Sequence, residues 1–286
     1  MERFGSWFTH MLLSLTVLCS VLDNVPGNER FGKENYAIAT ASVSLICSFI
    51  VVLGHMLTGL RFYLVGTLLE LFCAIIPLSL WIVGTVFIQN PYNSFASNVE
   101  GDGNESIEFA NLFFFSWIVL FSNTYLVGSI FRDYGSYDPQ ISGWLLLCMS
   151  SVVLMGMAAT LKVDLCANNP AVLCRRNDFA IAIGAIVGSL SFVAIVLVAC
   201  SKMGAVSYLL ISFISSGLFI SGVIVLTAAD GPATSLGTMY FSSWAGAAVS
   251  SLLFVGGIQE LFEAVAIEEE EAAKQRPPNQ YGDDDI

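Results

Sequence analysis

Eight stretches of this chain stay apolar for long enough to cross a bilayer as helices, and that single property decides most of what it can become. About 30 Å of hydrocarbon takes roughly 17–25 helical residues. The runs cover residues 6–22, 37–57, 62–88, 110–131, 143–161, 179–200, 205–228 and 238–264. In lipid every backbone N–H and C=O has to be satisfied inside the protein, which leaves helices or a closed barrel. Barrel strands read as about 10 residues of strict alternation, and these runs are longer and continuous. The expected fold class is therefore all-α: a polytopic membrane protein with eight transmembrane helices. Composition agrees, with 56% hydrophobic and only 12% charged residues over 286 positions, where a soluble domain carries about 25% charged. The lipid bilayer is the expected partner. A net charge of −12 has the wrong sign for nucleic acid.

The ends of the runs carry further detail. The third is long and contains Pro77, so a kink, a tilt or an interfacial turn is expected. The eighth continues into Gln259, Glu260 and Glu263, which predicts a wet amphipathic extension. The first follows Glu2 and Arg3, a poor basic lead for a signal peptide, and is expected to be retained.

The eight runs pair off in register. Tyr36-Ala37-Ile38-Ala39 and Ser48-Phe49 reappear 143 residues later as Phe179-Ala180-Ile181-Ala182 and Ser191-Phe192. Asn111 through Trp117 (NLFFFSW) answers Thr238 through Trp244 (TMYFSSW), and Trp7 answers Trp144. The spacing changes in a loop and not within a span, as a duplicated membrane unit requires. Four spans per unit keep both units in the same orientation, so the expectation is two tandem parallel four-helix repeats. The units are residues 1–136 and 137–266, followed by an acidic, disordered cytoplasmic tail at 267–286.

Sidedness follows from softer features. Cations divide six against five between the two faces and decide nothing. The sole Asn-x-Ser/Thr sequon, at Asn104, and the pair Cys166 and Cys174 fall in loops on one face. Sugar and disulfide chemistry both belong to the secretory lumen or the exterior. Both termini are accordingly placed in the cytoplasm, in the plasma membrane or an endomembrane. Asn104 is a glycosylation candidate. Cys166 and Cys174, with seven residues between them, are a disulfide candidate.

Polar residues inside the spans are few. Glu70 is the carboxylate deepest in a run, about two turns in, where a charge costs about 2.5–3.5 kcal/mol. It is a candidate either for an ion or proton path or for a protonated side chain bonded to a neighbouring helix, with His10 as a plausible partner. Asn123 reads as interhelical glue, and Gly184-x-x-x-Gly188 as a close-packing face. The loop from Glu100 to Glu108 alternates oxygen ligands but has Ile107 and Phe113 where a calcium loop needs Gly and Glu. Arg132-Asp133-Tyr134 has the wrong order and setting for a receptor motif. The terminal Asp283-Asp284-Asp285-Ile286 has the form of a β-augmentation ligand for a cytoplasmic partner. The sequence contains no phosphate-binding loop, zinc-helix motif, nucleophile elbow or Cys-x-x-Cys. The expectation is a chain that is not an enzyme, with no catalytic residue, metal or cofactor.

The unit, with its Phe/Tyr-Phe-Ser-Trp-type opening of the fourth helix, is similar to uncharacterised four-helix membrane proteins of algae and related protists. Its arrangement of four spans, inner termini and two outer loops also resembles the tetraspan families, MARVEL and claudin-like. The claudin-type outer-loop pattern is half present, in Cys166 and Cys174 without the preceding Trp signature. These likenesses imply a tetraspan-like membrane organiser or adaptor that packs with itself or other membrane proteins. The alternative is a small-solute or ion transporter built around Glu70.

Overall fold

Each apolar run becomes helix, because helix is the conformation in which its own backbone closes every hydrogen bond. A computed structural model describes residues 2–24, 32–90, 96–99, 105–134, 140–168, 171–228, 231–233 and 237–275. Its helices are α1 (Glu2–Asn24), α2 (Gly32–Met56), α3 (Thr58–Leu64), α4 (Leu68–Ile88), α5 (Ala110–Tyr134), α6 (Ile141–Asn168), α7 (Ala171–Ala199), α8 (Ala205–Leu226) and α9 (Thr238–Gln275). All except α3 are long and apolar enough to cross a membrane. The protein is thus an all-helical, multi-pass membrane protein. A three-residue antiparallel ribbon, β1 (Ser97–Val99) and β2 (Glu105–Ile107), sits between α4 and α5 with Asn98 opposite Ser106.

The third run is not one helix. It breaks at Gly66, whose φ of 73° lies in the left-handed region that only glycine enters without cost. The break turns residues 58–64 into the short α3. There Leu64 is buried while Phe62 and Tyr63 are 83% and 69% exposed, so α3 lies as an interfacial turn.

Four helices close a ring in each half. In the first, α1 packs on α2 and α5, and α4 packs on the same two. In the second, α6 packs on α7 and α9, and α8 packs on the same two. The rings meet where α6 lies against α4 and α5. That seam makes α5 and α6 the most enclosed spans, with 67% and 56% of their apolar windows buried against 28% for α1. Outward faces carry Phe192, Phe213, Ile224 and Leu252, which lipid solvates as readily as protein does. The ends order themselves through contacts. Arg3 of α1 pairs with Asp133 of α5, a side chain on Gly128 would strike Ser142 of α6, and Gln140 bonds Glu260 of α9 at 3.0 Å. The start of α1 and the wet stretch of α9 therefore share one end of the bundle.

Without a hydrophobic drive between helices, association in lipid rests on close packing and on polar links. One such link stands beside Pro77, which lies inside α4 and has no N–H to give to the carbonyl of Cys73. A regular helix joins Leu78 N–H to Ala74 C=O. Here the Asn123 amide of α5, oriented to satisfy both groups, donates to Ala74 O at 3.2 Å and accepts from Leu78 N–H at 2.7 Å. Asn123 is wholly buried and clasps the Ala74–Leu78 turn of α4, beside Pro77, from outside. Asn123→Leu is expected to cost about 1–2 kcal/mol, the value of two interhelical bonds in a membrane. In a Pro77→Ala background, where position 77 regains an N–H for the carbonyl of Cys73 and the turn tightens, that cost should shrink. Thermal unfolding in detergent across this double-mutant cycle measures the coupling.

A second polar link spans the seam. Gln89, just after α4, donates to Phe113 O at 3.1 Å and to Ser116 Oγ at 2.6 Å on α5, and accepts from Thr238 Oγ1 of α9 at 2.7 Å. Gln89, Ser116 and Thr238 are all buried. Gln89→Leu strands the Thr238 hydroxyl and should lower stability by about 1–2 kcal/mol, read as an earlier melting midpoint. Thr238→Val in that background should add little.

The chain beyond residue 267 differs from expectation. Ile267–Gln275 continues α9, so Glu268 through Glu271 are helical and not the start of a disordered tail. Glu, Ala, Lys and Gln are strong helix formers, and extending an existing helix avoids the cost of nucleation. Residues 276–286, with the terminal Asp-Asp-Asp-Ile, lie outside the described residues, as do 100–104. At the far end of the second ring, α6 and α7 run longer than the sequence suggests. They carry Cys166 and Cys174 in their facing terminal turns, joined as a disulfide with Cα atoms 5.1 Å apart.

Candidate functional site

Thr67 precedes α4 in an extended conformation, so Leu68 opens the helix and Glu70 is its third residue. From that position a Glu reaches back to N–H groups that the first turn cannot pair. Gly66 N–H donates to Glu70 Oε2 at 2.7 Å. The other oxygen, Oε1, accepts the Trp7 indole N–H at 2.9 Å. Arg3 Nη1 stands 3.5 Å from Oε2, and Arg3 Nη2 lies 3.1 Å from Asp133 Oδ2. Glu70 and Trp7 are both fully buried. The carboxylate therefore ties the first turns of α1 and α4 together, and through Arg3 it reaches the last turn of α5.

This geometry corrects two expectations. Glu70 is not two turns into its span. The break at Gly66 moves the helix start forward and leaves it in the first turn, nearer the water. Its partner is also not His10. His10 Nε2 lies 3.0 Å from Ser44 Oγ, which in turn lies 2.8 Å from Ser14 Oγ. The Trp7 indole packs edge-on to the His10 ring at 6.3 Å and takes the place facing Glu70. Arg3 and Trp7 were not singled out by their chemistry in the sequence, although both stand within one helical turn of each other at the start of α1 and face one neighbour.

Above Glu70 the end of the first ring opens into a cavity of about 350 Å³. Arg3, His55, Arg61, Arg132 and Asp133 line it, with Tyr125 and Ser129. Phe4 holds the His55 ring edge-on at 5.9 Å. Arg61 arrives on α3 and Arg132 on the last turn of α5. The signal that could have found this cluster is topological. Residues 3, 61 and 132 each border a span of the first unit on the same face, so folding has to gather them.

At the same end of the second ring the start of α6 carries an aromatic contact beside the Gln140–Glu260 bond. Trp144, at the start of α6, packs its indole edge-on against Tyr208 of α8 at 5.2 Å, and both are fully buried. Cys166 and Cys174 sit at the opposite end, beside the exposed ion pair of Lys162 and Asp178 at 2.8 Å. Asn104 lies outside the described residues. The structure thus brings Glu70 near Arg3 and Trp7, leaves His10 in its own hydroxyl cluster, and keeps the cysteines remote from both.

Compared with known proteins, the chain matches no family model, no curated protein and no solved structure.

Proposed function

We propose that this protein is a non-enzymatic membrane organiser or adaptor of tetraspan-like build, made of two tandem parallel four-helix units. The observation that carries the reading is the state of Glu70. Both of its oxygens are taken by protein donors, and it lies beneath the cavity and not on its wall. A transport carboxylate has to be presented to its ion or proton. This one is spent on holding helix ends together. The recurrence of one packing circuit in both rings, and the shared burial of Ala37 with Ala180 and of Ser48 with Ser191, support the duplication. Ser48 and Ser191 also donate alike to the carbonyl four residues back, at 2.6 and 2.7 Å. In this reading the termini face the cytoplasm, and the acidic extension of α9 meets a cytoplasmic partner while the outward helix faces meet other membrane proteins or a second copy.

The test is purification in mild detergent, with cross-linking and mass spectrometry, of the full chain and of a chain ending at residue 267. An organiser gives stoichiometric membrane partners from both and loses cytoplasmic ones from the shorter chain. Vesicles reconstituted with the purified protein should show no solute or cation flux that Glu70→Gln alters. Flux abolished by Glu70→Gln in a protein that still folds would replace this reading with the transporter.

A further inference from the structure

Arg3 is already engaged by Glu70 and Asp133. Arg61 and Arg132 are different. Among the described residues neither has a carboxylate within ion-pair reach, yet both face the same 350 Å³ cavity. Guanidinium groups repel one another, and the fold brings three of them to one concavity where, among the described lining residues, Asp133 is the one carboxylate. Among the described residues a further buried ring nitrogen there, His55 Nε2, has no hydrogen-bond partner. Arg61 and Arg132 are both exposed, so an anion can reach them and offset their mutual repulsion.

The chemistry of the wall narrows the anion. A carboxylate has two oxygens and is filled by one guanidinium fork. A phosphate monoester offers three oxygens and nearly two negative charges, and it accepts from two forks at once. The surroundings narrow its depth. Arg61 shares the seven-residue α3 with Phe62 and Tyr63, and Met56, Leu57 and Leu68 around it are 50–66% exposed. Exposed aromatic and aliphatic side chains on an interfacial turn sit at the level of lipid headgroups. We infer that the cavity formed by Arg3, Arg61 and Arg132 is a binding site for a phosphate monoester, held between Arg61 and Arg132 at headgroup depth. The ester comes either from a lipid headgroup or from a soluble phosphate.

The experiment uses the full chain in neutral detergent. Binding is measured with short-chain phosphatidic acid, with phosphatidylcholine of the same chain length, and with glycerol 3-phosphate as the soluble form of the same ester. Phosphatidic acid should bind and raise the melting midpoint, and phosphatidylcholine should not. Arg61→Gln with Arg132→Gln should weaken binding by about tenfold for each guanidinium removed. Lys202→Gln, an exposed cation at the same end of the second ring, should leave it unchanged. Competition by glycerol 3-phosphate at matching concentration assigns a soluble ester, and absence of competition assigns the lipid headgroup. Equal binding by the double variant overturns the proposal, as does an equal loss in Lys202→Gln or equal binding of the two lipids. Among the described residues the two arginines make no ion pair, so the apo double variant should melt with the parent. If it does not, the single variants carry the same comparison.

Discussion

Replacing Glu70 by Leu should be the most damaging single change at the charged corner, lowering stability by about 3–5 kcal/mol. The substitution removes the acceptor for the fully buried Trp7 indole N–H, worth about 1–3 kcal/mol when stranded, and for the part-buried Gly66 N–H, which water can partly satisfy. It also leaves Arg3, whose side chain is only 15% exposed, with Asp133 alone. Breaking one side of a buried pair costs far more than the pair contributes as a whole. Glu70→Gln keeps one amide oxygen for one of the two donors and should cost about 1–2 kcal/mol. The expected order of melting midpoints in detergent is parent, then Gln, then Leu. A Leu variant that melts with the parent would show that Glu70 does not hold these helix ends.

The second large effect divides one sequence motif into unequal halves. A Cβ on Gly184 would come within 2.7 Å of both Ser151 O and Met155 Cβ, and within 2.9 Å of Met155 N. Two of those atoms are backbone of α6 and cannot swing aside, so Gly184→Ala has to push α6 and α7 apart. Overpacking of this kind costs about 1–3 kcal/mol. At Gly188 the nearest atom is Ser151 Cβ at 3.5 Å, an ordinary contact. Gly188→Ala should therefore stay within about 0.5 kcal/mol of the parent. Equal losses at the two positions would rule out the contact geometry described for α6 and α7.

Much of the architecture was legible because lipid imposes a simple grammar. Length and apolarity alone place eight helices, since a membrane allows few other solutions. Pro77 announced a disturbed α4, and Asn123 announced an interhelical contact, but nothing in the sequence joins the two. Their meeting depends on the rotation of α5 against α4, which packing decides. Glu70 was legible as unusual and was placed too deep, because hydropathy reads through a single glycine and Gly66 is where the helix begins again. His10 looked like its partner by chemistry. Trp7, half a turn to one turn away along α1, has the longer reach and the N–H that a carboxylate accepts. The arginines of the cavity were visible only as a tally of charges by face. A count of six against five conceals that three of the six converge.

The unbroken course of α9 has a consequence for what the acidic residues can sense. Glu260 is anchored to Gln140 at the rim, and Glu270 stands ten residues farther along the same helix, about 15 Å in rise. That is nearly twice the screening distance of about 8 Å in physiological salt, so charge at the Gln140–Glu260 rim scarcely reaches Glu270. Successive residues turn by about 100°, and Glu268, Glu269, Glu270 and Glu271 therefore encircle the rod. Together they ring the extension of α9 with negative charge beyond the end of the bundle.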